Sequence, residues 1–211
     1  MLHFSLRKTV LGFSALALLG SLAACTNFPR EEAAKRISAP VWMIEREVDI
    51  DGYAITVHER MHERYKPAHI YIEGDGITHS LRHNRRYQSI NPTPINPVAL
   101  HMAAHDLHDN VAHLARPCQY SGMTSKDRIC GDELWKGERY SAKAVALMND
   151  TINEIKARYN LTDLHLIGYN GGGAIATILA AKRDDVVSLR TVAAILDHKT
   201  FTAYHDIPPF E

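Results

Sequence analysis

The sequence predicts an α/β fold in which helices flank a mostly parallel sheet that has an N-terminal antiparallel hairpin. Along residues 41–211, short apolar segments typical of buried strands alternate with helical patterns. Strands that alternate with helices need crossover connections, which place parallel strands between helical layers. The hairpin is predicted at Asp51–Gly52, because apolar residues at even spacing flank this Asp-Gly pair on both sides.

The first half of the predicted domain has three further elements. HIYIEGDG (69–76) is typical of a buried strand that runs into a glycine-flanked loop. Asn96-Pro97 is a favourable N-cap and N1 pair for a helix over Val98–Leu107. Residues 111–116 form another short apolar strand. A long polar loop follows.

The second half contains the clearest helix, for which Ser141 is the predicted N-cap. Its apolar residues step by three and four along one face: Val145, Met148, Ile152, Ile155 and Tyr159. A strand over 163–169, a helix of small residues from Gly171 to Lys182 and a strand over 189–196 complete the order. Nothing in the pattern indicates a second domain.

Residues 1–24 are predicted to be a signal peptide. They contain two cations and an apolar run, VLGFSALALLGSL, which is too short to span a membrane comfortably. The end of this segment, Leu22-Ala23-Ala24-Cys25, resembles the bacterial lipobox, in which the cysteine carries acyl chains. The resemblance implies a lipid anchor on Cys25 and, because Thr26 rather than Asp follows, the outer membrane facing the periplasm. An ordinary secretory signal with a chance cysteine is the alternative.

Residues 25–40 are then expected to be the lipidated cysteine and a polar tether to the domain. In the oxidising periplasm, with Cys25 used for lipid, Cys118 and Cys130 are the natural disulfide pair. A metal site would require further ligands at suitable spacing, and none accompanies these cysteines. The disulfide is therefore the better interpretation.

The charge balance, 24 Lys+Arg against 24 Asp+Glu, gives no electrostatic reason to expect a nucleic acid partner. The membrane, reached through Cys25, is the expected partner. Histidines recur at helical spacing, but no partner carboxylate of the H-E-x-x-H kind accompanies His101, His105 and His108. The pair His58 and His62 brackets Glu59 in the letters of that motif, but it lies in a predicted strand or turn, where residues four apart do not converge on one ion. We therefore predict neither a metal nor a cofactor.

The stretch LHLIGYNGGGAIATILAA resembles the nucleophile elbow of the α/β-hydrolase superfamily, a strand–turn–helix of the form G-x-S-x-G. The frame is Gly168-Tyr169-x-Gly171-Gly172. Upstream, Gly74, Asp75 and Gly76 match the loop that supplies the second oxyanion N–H, with Gly171 contributing on the elbow side. From about Val41 onward the chain is similar to small bacterial lipoprotein hydrolases of this superfamily, which implies action on an ester or amide. The less specific alternative is a doubly wound domain with a phosphate-binding glycine loop.

Two departures from the family pattern predict impaired catalysis. Asn170 stands at the nucleophile position, and an amide cannot form an acyl-enzyme. Only residues 171–211 follow, so residues 41–211 are expected to form an incomplete, C-terminally truncated domain without the usual region of the catalytic histidine. Asp197 and His205 are weak candidates for the acid and the base.

The sequence leaves two other functions open. One is an active esterase or thioesterase-type hydrolase with a non-standard site. The other is a non-enzymatic binding lipoprotein of the periplasm, with metal binding as one version. For Asp75, the sequence allows either a place at the pocket mouth or an Asx-type turn within its own loop.

Overall fold

The computed structural model describes residues 30–82, 85–120, 130 and 132–206. Within them, the strands are β1 Ile44–Ile50, β2 Tyr53–Met61, β3 Ala68–Ile72, β4 His79–Arg82, β5 Arg85–Gln88, β6 Asn110–Leu114, β7 Leu164–Tyr169 and β8 Val186–Val192. The α-helices are α1 Arg30–Ser38, α2 Val98–His105, α3 Ala142–Tyr159, α4 Gly171–Lys182 and α5 His198–His205. The predicted signal peptide and Cys25 lie outside the described residues.

Six strands form one sheet in the order β1-β2-β6-β3-β7-β8, and β4 and β5 form a separate hairpin. The strands β6, β3, β7 and β8 are mutually parallel, whereas β2 is antiparallel to both β1 and β6. Strand β1 therefore runs in the same direction as β6, and its first residue, Ile44, lies at the amino ends of the parallel strands. The predicted mostly parallel sheet with an N-terminal antiparallel hairpin is confirmed.

The turn between β1 and β2 has the backbone that Asp-Gly favours. Asp51 and Gly52 have φ values of 53° and 82°. Two consecutive positive φ values are typical of a tight hairpin turn whose twist matches that of the strands. The local sequence signal is therefore sufficient to place this turn.

Helices cover both faces of the sheet. Helix α3 packs its predicted apolar face into the larger core, where Val145, Met148, Ile152 and Ile155 are buried. The Ser141 hydroxyl accepts a hydrogen bond of 3.3 Å from the N–H of Ala144, which confirms the predicted cap. Helix α2 covers the other face with a smaller apolar cluster.

Several predicted boundaries differ from the structure. Helix α2 ends at His105 instead of Leu107, because the backbone of Asp106 is extended and its N–H donates to the carbonyl of Ala103. Pro97 takes the N-cap position predicted for Asn96. Strand β8 begins at Val186, three residues earlier than predicted, because its register continues along β7 from Leu164.

Three elements have no counterpart in the prediction. Helix α1 lies inside the segment expected to be a tether, and it buries Ala34 and Ser38. The β4–β5 hairpin and helix α5 lie in segments for which the sequence predicted neither a strand nor a helix. All three are short, so none is long enough for the apolar period of a helix or a strand to be recognised.

The predicted disulfide is present. Cys118 and Cys130 are bonded, with their Cα atoms 5.6 Å apart. Among the helices of the described ranges, none is both long and apolar enough to cross a bilayer.

Candidate functional site

Asn170 occupies the turn between β7 and α4 in an unusual backbone conformation, with φ 50° and ψ −122°. Its N–H donates to the carbonyl of Val192 on β8 at 2.9 Å, and its own carbonyl accepts from the N–H of Gly173 at 3.0 Å. A positive φ in a residue with a side chain is strained and persists only where the surroundings hold it. The turn therefore has the sharp geometry expected of a nucleophile elbow.

Close packing explains the glycines around this turn. A Cβ atom on Gly168 would lie 2.4 Å from the Cα of Gly173, and one on Gly172 would lie 2.3 Å from the carbonyl oxygens of both Ile72 and Glu73. Only a hydrogen atom fits at either position. Helix α4 therefore begins directly against the carboxyl end of β3.

A pocket of about 360 Å³ opens above the elbow, at the carboxyl ends of β3 and β7. Its size falls in the range of small-molecule sites, about 300–1,000 Å³. The first N–H groups of α4 have no partner within the helix, and the helix dipole is positive there, so this end favours a negative charge. The described lining residues include neither Ser, Thr, Cys nor His: Glu73, Gly74, Asp75, Gly76, Ile77, Pro94, Ile95, Asn96, Tyr169 and Asn170.

The carboxylate of Asp75 forms a fixed wall of the pocket. Its oxygens lie 3.2 Å from Nη1 of Arg116 and 3.0 Å from Nε of Arg139, and the hydroxyl of Tyr140 donates to it. Burial, followed by the charge of Asp75, raises the pKa of Tyr140 well above its usual value. A Cβ on Gly171 would meet Oδ1 of Asp75 at 1.8 Å, so this carboxylate touches the elbow itself. These bonds favour the pocket interpretation of Asp75 over a turn within its own loop.

The second pocket carboxylate, Glu73, belongs to a buried chain of polar groups. It accepts hydrogen bonds from the N–H groups of Gly74 at 2.9 Å and Ala99 at 3.3 Å. Its other oxygen lies 3.2 Å from Nε2 of His113, whose Nδ1 lies 3.2 Å from Nδ1 of His58. Burial lowers the pKa of His113. The N–H of Gly74, one of the predicted oxyanion donors, is therefore engaged by Glu73, and an incoming oxyanion would compete for it.

The weak acid and base candidates lie at the two ends of helix α5. Asp197 caps this helix by accepting a 3.0 Å hydrogen bond from the N–H of Thr200, and this bond lowers the pKa of its carboxyl group. The ring of His205 packs against Phe201, with 4.4 Å between their centroids. Phe201 in turn contacts Tyr140. Neither Asp197 nor His205 is among the described residues that line the pocket.

Within the ranges the structure describes, no three metal-binding side chains are grouped so as to hold an ion. His101 and His105 lie on α2, but the helix ends before His108. The buried partners of the two carboxylates were not predicted from the sequence: Arg116, Arg139, Tyr140 and His113. A charged residue at the end of an otherwise apolar strand, Glu73, was the one signal available for them.

The sheet order together with the elbow decides the fold. The chain has an α/β-hydrolase fold. No protein-family model matches the sequence, and no curated protein sequence matches it either. Solved structures of α/β-hydrolases do match in structure.

One matching structure is a bacterial membrane phospholipase A, at 17% identity and a TM-score of 0.44, covering 92% of this chain and 53% of the phospholipase. Another is an alpha-beta serine hydrolase homologue from Coxiella burnetii, at 16% identity and a TM-score of 0.48, covering 78% of this chain and 70% of the homologue. A third is a proline iminopeptidase of Mycobacterium smegmatis, at 16% identity and a TM-score of 0.46, covering 76% of this chain and 47% of the iminopeptidase. The chain thus spans about half the length of the phospholipase and of the iminopeptidase. At these identities the likeness concerns the fold alone.

Proposed function

We propose that this protein is a membrane-anchored, periplasm-facing lipoprotein whose α/β-hydrolase site binds a small ester or amide without forming an acyl-enzyme. The observation that carries the proposal is Asn170 at the elbow, at the start of α4 and in the wall of the pocket. The elbow geometry and the N–H groups of α4 support recognition of a carbonyl oxygen. The side chain at the reacting position, however, is an amide.

The chemistry of that side chain argues against covalent catalysis. The amide nitrogen of Asn170 is a poor nucleophile because its lone pair is delocalised into the carbonyl group. Acyl transfer needs a hydroxyl, a thiol or a carboxylate, activated by a base. The two carboxylates of the pocket are already engaged, Asp75 by two arginines and Glu73 by backbone N–H groups and His113. Loss of the nucleophile from such a site lowers the rate by several orders of magnitude.

Turnover of short-chain p-nitrophenyl esters by the purified full-length protein tests this proposal. We expect the wild type and Asn170→Ala to hydrolyse these esters equally slowly, while calorimetry detects ester binding to both. Asn170→Ser alone is expected to remain inactive, because no histidine is found among the described lining residues. Wild-type turnover that disappears in Asn170→Ala would contradict the proposal and favour an active hydrolase with a non-standard site. Robust activity of Asn170→Ser would show that a histidine such as His205 can serve as the base.

The lipid anchor has its own test. Metabolic labelling with a fatty acid is expected to label the wild type but not Cys25→Ser, and fractionation should place the labelled protein in the outer membrane. Thr26→Asp provides a matched variant, because the lipobox resemblance implies that Asp after the cysteine retains a lipoprotein at the inner membrane. An unlabelled wild-type protein would contradict the lipid anchor, but it would leave the proposal that Asn170 cannot form an acyl-enzyme unaffected.

A further inference from the structure

Helix α1 is attached to the rim of the pocket at its first residue. Nη1 of Arg30 donates to the carbonyl oxygens of Asn91 and Thr93, at 2.9 Å each. The residues that directly follow in the chain, 94–96, line the pocket. The point at which the described chain begins is therefore next to the pocket mouth, at the elbow end of the sheet.

The proposed anchor lies only five residues before this point. A fully extended chain spans at most about 3.6 Å per residue, so Cys25 lies within about 18 Å of Arg30 whatever conformation the intervening residues adopt. From Arg30, helix α1 and the following 3₁₀ turn lead away to Trp42 and the start of β1, at the opposite end of the sheet. The anchor is thus tied more closely to the pocket end than to the far end.

The rim carries exposed apolar side chains on both sides of the Arg30 contact. Ile90 is 82% exposed and Ile95 is 68% exposed. Exposed aliphatic groups of this kind can be buried in the interfacial region of a bilayer.

From these observations we infer that the pocket mouth, defined by Ile90 and Ile95, lies on the membrane that holds the anchor. The ligand is then an ester-bearing lipid of the same leaflet, which enters the pocket from the bilayer rather than from the periplasm. This inference rests on the lipid anchor of the proposed function. It adds the orientation of the domain and the class of the ligand.

A second exposed apolar surface makes the inference testable, because the two surfaces compete for the membrane. At the opposite end of the sheet, Trp42 is 82% exposed and Leu107 is 97% exposed. A domain that rests on this end would direct its pocket toward the periplasm. A reporter at each end therefore distinguishes the two orientations.

The experiment uses the full-length, lipidated protein in phosphatidylethanolamine–phosphatidylglycerol vesicles. Ile95→Cys and Leu107→Cys are each labelled with an environment-sensitive fluorophore, the disulfide being left oxidised, and nitroxide-bearing lipids serve as quenchers. We expect the label at residue 95 to shift to the blue and to be quenched at least twice as strongly as the label at residue 107. Arg30→Ala should reduce this difference by half or more, whereas Arg36→Ala, which alters an exposed pair with Glu32, should leave it unchanged.

Flotation of the vesicles separates the two possible failures. A protein that floats, but whose label at residue 107 is quenched as strongly as that at residue 95 or more so, overturns the inference and leaves the anchor intact. A protein that does not float overturns the lipid anchor and, with it, this inference.

Discussion

Replacement of Gly172 by alanine tests whether helix α4 packs against the end of β3 as closely as the elbow requires. The added Cβ would lie 2.3 Å from the carbonyl oxygens of Ile72 and Glu73, and both obstacles are backbone atoms. Neither can yield freely, because the N–H of Glu73 is bonded to the carbonyl of Leu114 on β6. Overpacking a tight site costs about 1–3 kcal/mol, and two backbone clashes place Gly172→Ala near the upper end.

Helix propensity works in the opposite direction, since alanine is favoured over glycine by about 1 kcal/mol inside a helix. We therefore expect Gly172→Ala to lower the free energy of unfolding by about 2 kcal/mol, the difference between these effects. Ala181→Gly, at an exposed position of the same helix, is the matched control, and should lower it by about 1 kcal/mol. Urea denaturation of the purified protein measures both. A Gly172→Ala protein as stable as the wild type, or more stable, would refute the packing described here.

Three further predictions concern the cap and the buried charges. Ser141→Ala should lower stability by about 1 kcal/mol in urea denaturation through loss of the α3 cap, and an unchanged midpoint would refute the cap. Asp75→Asn should lower stability by about 3–5 kcal/mol, because Arg116 and Arg139 remain buried without their counter-charge; a loss under 1 kcal/mol would show them solvated. Because burial lowers the pKa of His113 below its usual 6.5, the folded protein binds this proton less readily than the unfolded chain. Stability should therefore fall as the pH drops below 6.5, and the Tm of His113→Asn should fall less; equal pH profiles would contradict this.

Local signals were sufficient for several elements of this fold. The Asp-Gly pair of the first hairpin and the Ser141 cap of α3 each depend on a few adjacent residues, so the sequence displays them directly. The elbow is a similar case, because its glycines and its central residue are consecutive. The short helices α1 and α5 gave no such signal, and α1 is held by contacts such as Arg30 with the carbonyls of Asn91 and Thr93.

The surroundings of the elbow could be predicted only in part. The sequence indicated the loop around Asp75, but the partners of this carboxylate, Arg116 and Arg139, lie in other segments of the chain. The pairing of Glu73 with His113 likewise depends on the parallel register of β3 and β6. Pairs of this kind are set by tertiary structure, and no periodic pattern in a single sequence records them.

Intact-protein mass spectrometry after incubation with a fluorophosphonate shows whether the elbow carries a reactive nucleophile, because it detects a covalent adduct independently of turnover. We expect the mass of the wild type to remain unchanged, since Asn170 offers no nucleophile at the elbow. Peptide mapping of the same sample should find residue 170 as unmodified asparagine. A stoichiometric adduct on Asn170, or on another residue that lines the pocket, would contradict the loss of the nucleophile and identify a working one.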